Sequence, residues 1–426
     1  MAEHALTLPE RLPIPAVVLD IARRLERAGF ETWCVGGAIR DNLLGLENQD
    51  YDLATAARPE DVQRLFRRTI PIGVEHGTVA VLNGQNRPHE VTTFRKDIRT
   101  DGRHAEVEFG VSLQDDLARR DFTINAIAYH PVRHEWRDPF GGVADLDRRL
   151  IRAVGDPNWR FQEDYLRILR ALRFSARFEF RIHVRTLEAG KANVQGLAQL
   201  SAERVRDEWF KGLATAKQPS QLLRLWDEVG ALTMWLPEVV KREKRKVKAV
   251  DALDRFGAAD PVLMTAYLSN DPAATLARLR CSNADIERAR LIGAYRTEWP
   301  DVMTDLAVRR WLAIVGPAAD DLLAIAQAEG WGNELADVAA RVRMSHAPLA
   351  IGDLALSGKD LLELGVPQGP DVGILLDALL DLVIEQPELN TREDLIRLAT
   401  RLTAEMPIPE SPRRRSSRHH RPPETS

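Results

Sequence analysis

Residues 33–52 constrain this chain more than any other stretch. Trp33-Cys34-Val35 runs into Gly36-Gly37-Ala38-Ile39-Arg40-Asp41, then Leu43-Leu44-Gly45, then Asp50-Tyr51-Asp52. The pattern predicts a buried strand over 33–35, a turn through two glycines, and a short helix over about 38–44 closed by Gly45. A helix that starts this way leaves free backbone N–H groups at its positive end, which suit a phosphate. Without side chains at Gly36 and Gly37 the phosphate approaches the backbone closely, and Arg40 lies one turn in. Asp50 and Asp52, if both sit on a strand, share one face roughly 6.5–7 Å apart. Two carboxylates so placed repel each other unless a cation lies between them. Mg²⁺ prefers oxygen ligands and bridges carboxylates to substrate phosphates. A Gly-Gly pair alone is a turn and a lone Asp-x-Asp a solvated loop; their order and spacing together point to nucleotidyl transfer. No Gly-Lys-Ser/Thr or Gly-x-Gly-x-x-Gly follows the strand, which excludes a Walker A loop and a dinucleotide fingerprint.

The 426 residues suffice for two to four packed units, and 44% hydrophobic with 29% charged residues is a globular composition. A net charge of −4 neither announces nor excludes a nucleic-acid partner. The two cysteines, Cys34 and Cys281, form no CxxC, which argues against a zinc site or disulfide framework and for a reducing compartment. No apolar signal core and no uninterrupted apolar run of spanning length stands out, so the expected location is the cytoplasm, with no membrane partner.

Along the chain, the Val17-Val18 to Leu25 stretch reads as a helix stopped by Gly29, and Pro59 opens another that reaches about Phe66. Residues 78–82 and 90–94 read as strands. Glu90 alternates with Thr92 and Phe94. It is a third carboxylate at the metal site if its strand lies beside the Asp50/Asp52 strand, and an exposed edge glutamate if not. Residues 95–104 are charged with one glycine and read as a mobile loop beside a site, or as a solvated hairpin tip. In Arg119-Arg120-Asp121-Phe122-Thr123-Ile124-Asn125-Ala126, Asp121 reads as a helix N-cap. The two arginines before that helix then oppose its dipole, a cost that an anion facing one of them offsets. Asp138-Pro139-Phe140-Gly141-Gly142 is a turn by its chemistry. From about Trp159 onward helical patterns dominate. Residues 241–248 are the densest basic run, either a solvated face or a phosphate-backbone contact. The Arg-rich residues 409–426 cannot bury a core and read as a disordered tail.

Residues 161–174 read as one helix with Tyr165, Ile168, Leu169, Leu172 and Ala176 on its core face. Asp164, Arg167, Arg170 and Arg173 form a stripe on another side, with arginine charge left uncompensated toward the C-terminal end. An arginine row suits a triphosphate. An Asp/Arg pair one turn apart offers an acceptor and a planar donor fork, enough to read a base edge.

These segments together resemble the class II tRNA CCA-adding nucleotidyltransferases, in the superfamily typified by DNA polymerase beta. The matches follow the family's order: Gly36 to Asp41 with Asp50-Tyr51-Asp52, then Arg119 to Ala126, then Asp138 to Gly142 with Asp145-Leu146, then Glu163-Asp164 to Phe174, then Ser201-Ala202-Glu203-Arg204. They cover about residues 30–215. The resemblance implies an α+β head of polymerase-beta-like nucleotidyltransferase fold, a mixed sheet with helices, followed by an all-helical neck, body and tail. The divisions are 1–150 for the head, 151–215 for the neck, 216–345 for the body, 346–408 for the tail, and 409–426 for the basic terminus. It implies that Asp50 and Asp52 hold two Mg²⁺ ions for a two-metal nucleotidyl transfer; Glu90 remains a further catalytic candidate from its strand position alone. Gly37, Arg40 and Arg120 contact the triphosphate. Asp164 and Arg167 read the base, and Arg170 and Arg173 complete the nucleotide pocket. The partners implied are the tRNA 3′ end with CTP and ATP as substrates, and no obligatory protein partner.

The alternatives are a poly(A) polymerase acting on RNA 3′ ends and a non-catalytic RNA-binding relative. Poly(A) polymerases and many bacterial members of the family typically carry proline after the Glu-Asp pair, where this chain has Tyr165, as in the mitochondrial-like CCA enzymes. A silent relative is marked by loss of an aspartate, and both Asp50 and Asp52 are present. No His-Asp dipeptide occurs, so no fused phosphohydrolase domain of that type is expected.

Overall fold

The computed structural model describes residues 6–48, 50–73, 77–100, 105–240 and 250–405, with no side-chain description at 97–100, 105–107, 240 and 405. The basic run at 241–248 and the terminus at 409–426 lie outside the described residues. The chain divides into two compact units, 1–296 with 324–332, and 297–323 with 333–426.

The first unit opens with α1 (Ala16–Arg27), β1 (Thr32–Val35), α2 (Gly37–Leu43) and β2 (Asp52–Thr55). It continues with α3 (Pro59–Leu65), β3 (Thr69–Gly73), β4 (Thr78–Leu82) and β5 (Pro88–Thr93). A seven-stranded mixed sheet runs in the order β3-β4-β5-β2-β1-β8-β9, where β8 is Ala128–His130 and β9 is Glu135–Arg137. Within this sheet, among the described residues, only β2 and β5 pair in parallel; α3 and the β3–β4 hairpin lie between them in the chain. Trp33, Val35, Ala54, Phe94, Leu117 and Ala128 pack into one core against the sheet. The central strands are buried on both faces: every residue of β1 and β8, and all of β2 after Asp52, is buried.

Residues 95–104 are not a simple loop. β6 (Arg95–Thr100) and β7 (Ala105–Phe109) form a two-stranded antiparallel ribbon, and its tip at 101–104 lies outside the described residues. Next comes α4 (Leu113–Ala118), whose Ser112 accepts the Asp115 N–H and whose Asp115 carboxylate accepts the Ser112 N–H. Asp121 does not start an α-helix; a 3₁₀ turn over Thr123–Asn125 follows it. Arg119 and Arg120 therefore sit at the C-terminal end of α4, where a cation is favoured rather than opposed. The Asp138 carboxylate accepts the N–H groups of Gly142 and Val143 and opens α5 (Gly142–Asp147), so that segment turns as its chemistry requires.

The expected single helix over 161–174 is two. α6 (Pro157–Glu163) ends at Asp164, whose φ of −156° and ψ of 104° are extended, and α7 (Leu166–Phe178) begins two residues later. Ile168, Leu169, Leu172 and Ala176 are buried as the pattern requires. A short parallel pair, β10 (Leu150–Ile151) with β11 (Arg181–Ile182), ties the end of α7 back to the segment before α6. α8 (Val184–Ala192) follows, and α9 (Ala202–Thr215) packs along α7. The remaining described elements of this unit are helical.

In the second unit, helices Gly358–Glu363, Pro370–Glu385 and Arg392–Glu405 enclose Leu361, Leu375, Leu379, Val383 and Leu395. Among the described residues one helical stretch, Asp305–Ala328, reaches the length and mean apolarity of a membrane span, but Arg309, Arg310, Asp320 and Asp321 interrupt it, so it is not an uninterrupted apolar run. Moreover, 61% of that window is buried inside the protein, and a 3₁₀ turn over Gly316–Ala318 interrupts it. Burial of this kind is that of core helices.

Candidate active site

β1 delivers the chain to Gly36, whose φ of +80° and ψ of −138° belong to a backbone region open essentially to glycine alone. α2 begins at the next residue with no side-chain cap, so its first N–H groups stay available as donors. A Cβ on Gly36 would lie 3.2 Å from Arg120 Nη1 and 3.6 Å from Asp52 Oδ2. The missing side chain is what lets a cation and a carboxylate close in on the helix start from two sides.

Asp52 is the first residue of β2, in register with Val35. Asp50 is not on that strand. Beyond Val35 the partner chain turns away at Gly36, so nothing is left for residue 50 to pair with. Its N–H is taken by Asn48 Oδ1 at 2.9 Å, and the residue is exposed. β5 does lie beside β2, with Leu53 opposite Val91, which sets Glu90 next to Asp52. Burial, then Glu90, then Asp50 push the Asp52 carboxyl up to about 6, against the pull of Arg120. Among the described residues no three acidic, histidine or cysteine side chains converge into a closed metal cage.

Arg120 shares the buried Asp116 with Arg119: Arg119 Nε is 3.0 Å from Oδ1 and Arg120 Nη2 is 3.1 Å from Oδ2. Its Nε is buried without a hydrogen-bond partner, a donor in want of an anion. Arg40 departs from the expected role. Its Nε and Nη2 bond Asp41 at 2.8 and 2.6 Å, and its Nη1 bonds Asn125 at 2.5 Å. The guanidinium lies over the rings of Phe174 and Phe178 and is 3% exposed, and burial lowers its pKa. Arg40 braces α2 against α7 from beneath the cleft rather than standing open to a phosphate.

The arginine row of α7 is paired, not uncompensated. Arg167 Nη1 bonds Glu163 at 2.5 Å and Nη2 bonds the Arg119 carbonyl at 3.2 Å. Arg170 bonds Asp121 at 2.7 Å. Burial alone raises the Asp121 carboxyl, but Arg170, Asn125 and the Phe122 N–H outweigh it and hold it down at about 2. Arg173 turns away to Glu208 at 2.6 Å, both buried, and does not line the cleft. Asp164 sits in the break between α6 and α7; Oδ1 accepts the Leu166 N–H at 3.1 Å and Oδ2 accepts Arg204 at 2.8 Å.

Of the expected residues, Gly37, Arg40, Asp52, Arg120, Asp164, Arg167 and Arg170 line one cleft of about 460 Å³, together with Gly36, Arg119 and Arg204. That volume is within the ~300–1,000 Å³ of small-molecule sites. Asp50, Glu90 and Arg173 are outside its lining. The cleft has two halves: a glycine-lined helix start with Asp52 and Arg120, and, across from it, an Asp/Arg pair at the head of α7. Asp116, Asn125 and the Arg204 contact were not anticipated. Asp116 was legible, since carboxylates three and four residues before arginines pair on a helix. Asn125 carried no such signal.

This mixed-sheet head and its cleft define a nucleotidyltransferase of polymerase-beta-like fold. The "Poly A polymerase head domain" family model matches residues 32–152, and "Probable RNA and SrmB- binding site of polymerase A" matches 179–242. The CCA-adding enzyme of Levilactobacillus brevis is 33% identical over 412 residues, covering 92% of this chain and 98% of that protein. That of Geobacillus kaustophilus is 35% identical over 397 residues, covering 88% and 94%. The crystal structure of the Bacillus stearothermophilus CCA-adding enzyme in complex with CTP is 32% identical, with a TM-score of 0.78 over 91% of this chain and 97% of that one. A Thermotoga maritima CCA-adding enzyme complexed with tRNA, 19% identical with a TM-score of 0.66, shares the fold. The chain belongs to the CCA-adding enzyme family.

Proposed function

We propose that this chain builds the 3′-terminal CCA of tRNA from CTP and ATP without a nucleic-acid template, releasing pyrophosphate at each step. The observation that carries this reading is the two-sided cleft, a phosphate seat facing a base-reading Asp/Arg pair, in a chain 33% identical to a CCA-adding enzyme over nearly its whole length. The family is generally dependent on divalent metal.

The residues present fit Mg²⁺. Asp50, Asp52 and Glu90 supply only hard carboxylate oxygens, and the Asp52 carboxyl, raised first by burial and then by Glu90 and Asp50, is a group whose charged form a bound cation would favour. A metal that takes its remaining ligands from phosphate and water needs no closed protein cage. Asp50 and Asp52 would hold it, with Glu90 beside them. When bound, it supplies charge stabilisation at the reacting phosphate and eases ionisation of the attacking hydroxyl. The protein's own part is positioning and charge. The N–H groups at Gly37 and the Arg120 guanidinium orient the triphosphate, with Arg40 holding α2 in place below. Arg170, anchored on Asp121, adds positive charge over the same seat. Asp164 accepts the exocyclic amine that C and A carry and that G and U do not present at that position, while Arg167 donates to the ring acceptor beside it. Arg173 serves the pocket indirectly, by fixing α7 against α9. The division into head, neck, body and tail at 150, 215 and 345 stands as part of this reading, as do a cytoplasmic location and contact of the 241–248 run with the tRNA backbone.

The test supplies purified protein with tRNA ending at the discriminator base and labelled nucleotides singly and together, then sequences the added ends. Addition of C-C-A is expected; a long adenosine tract would instead make the chain a poly(A) polymerase. Asp164→Ala and Arg167→Ala are expected to blur base choice more than they weaken triphosphate binding.

A further inference from the structure

Arg204 stands where a helix disfavours it. It is the third residue of α9, in the first turn, where the dipole repels a cation. The Ser201 hydroxyl accepts the Arg204 N–H at 3.4 Å and fixes its backbone, and its side chain runs not to solvent but into the nucleotide cleft. There Nη2 donates to Asp164 Oδ2 at 2.8 Å, its one side-chain partner among the described residues. The two side chains are 38% and 27% exposed, so the pair adds little to stability. The placement has a cost at the helix start that the ion pair's contribution to folding does not explain.

Asp164 needs an external anchor. It belongs to neither helix: its extended backbone breaks α6 from α7, and only the Leu166 N–H holds its other oxygen from nearby in sequence. One anchor leaves the carboxylate free to rotate about its last side-chain bond. A second, on the other oxygen and from a different helix, sets the plane of the group. Each oxygen has two acceptor sites, so with one taken on each, one remains on each for a ligand. Arg167, by contrast, is held from its own segment by Glu163 and by the Arg119 carbonyl. The acceptor and the donor of the base-reading pair are thus held independently.

We propose that Arg204 is a specificity-determining positioning residue: by holding Asp164 Oδ2 it fixes the acceptor that distinguishes amino-bearing C and A from oxo-bearing U and G. The inference rests on the assignment of Asp164 as the base reader. With Arg204 truncated, the carboxylate swings away from the lone-pair clash that rejects a base carbonyl, and the wrong nucleotide is admitted.

The experiment measures kcat and KM for CTP and UTP at the first added position of a tRNA lacking CCA, for wild type, R204A, R204K and D164N, with the melting temperature of each. R204A is expected to reduce the CTP:UTP preference roughly tenfold, the size of one charge-assisted hydrogen bond. The change appears as a lowered KM for UTP beside a raised KM for CTP, with the melting temperature unchanged. R204K restores part of the preference, because the ammonium supplies the charge without the planar fork. D164N, which can turn its amide to donate to a uracil carbonyl, loses the preference outright. An unchanged ratio in R204A beside a blurred ratio in D164N would overturn the Arg204 role alone. An unchanged ratio in D164N would remove the base-reading assignment and this inference with it. A lowered melting temperature with equal loss for CTP and UTP in both R204A and R204K would make Arg204 a structural residue and overturn the inference.

Discussion

Replacing Gly36 by alanine tests whether the phosphate seat depends on a glycine-only backbone. Its φ of +80° and ψ of −138° are strained for any L side chain, at about 1–3 kcal/mol. The new Cβ also lies 3.2 Å from Arg120 Nη1 and 3.6 Å from Asp52 Oδ2, so the guanidinium gives way at the point where the triphosphate is held. Gly45 is the control. Its φ is +72°, at the other end of α2, with nothing within 4 Å of an added Cβ. Gly45→Ala therefore costs about 1–2 kcal/mol of backbone strain and nothing else. Each kcal/mol lowers the melting temperature by about 2–4 °C for a unit of ~150–250 residues. Both variants should melt several degrees early. They should part in catalysis: misplacement of a positioning group costs up to about 100-fold per ångström, so kcat/KM for CTP should fall about 10–100-fold in Gly36→Ala and stay near wild type in Gly45→Ala. Steady-state incorporation at a temperature where both are folded decides it. Wild-type turnover in Gly36→Ala, or equal losses in the two variants, would refute the argument.

Two further outcomes follow from the charges. Asp52, held near 6 when folded and near 3.9 unfolded, binds its proton more tightly in the native state, so its contribution to stability is present below about pH 4 and lost as pH rises through 6. In EDTA, urea melts of wild type should therefore decline relative to Asp52→Asn by about 2 kcal/mol between pH 4 and pH 7, and parallel curves would exclude the buried, repelled carboxylate. Glu208→Ala leaves the buried Arg173 uncompensated and should cost about 3–5 kcal/mol, whereas Arg173→Leu with Glu208→Leu should recover most of it; a single substitution as mild as the pair would show that the two do not depend on each other.

Much of the site could be read because its chemistry is local. The Gly-Gly turn, the α2 boundaries and the β1–β2 segment follow from glycine freedom and strand pattern within a few residues of each other. Periodicity likewise placed Ile168, Leu169, Leu172 and Ala176 in the core. The same reasoning erred where a residue's partner comes from far along the chain. The α7 arginines looked uncompensated because Asp121 and Glu208, distant in sequence, are their counter-ions. The direction of Arg40 depended on Asn125 and on two phenylalanine rings of α7. The break at Asp164 was masked by a helical hydrophobic pattern that runs through it.

From its sequence alone, then, the chain determined which residue types could bind phosphate and metal, and the order in which strand, turn and helix present them. Backbone freedom and side-chain periodicity act over a few residues, and a linear pattern records most of them. Only the tertiary structure decided which charges are spent on one another and which face the cleft. Ion pairing depends on distance in space, and the sheet and the α7–α9 packing bring together groups that the chain holds 35 to 49 positions apart.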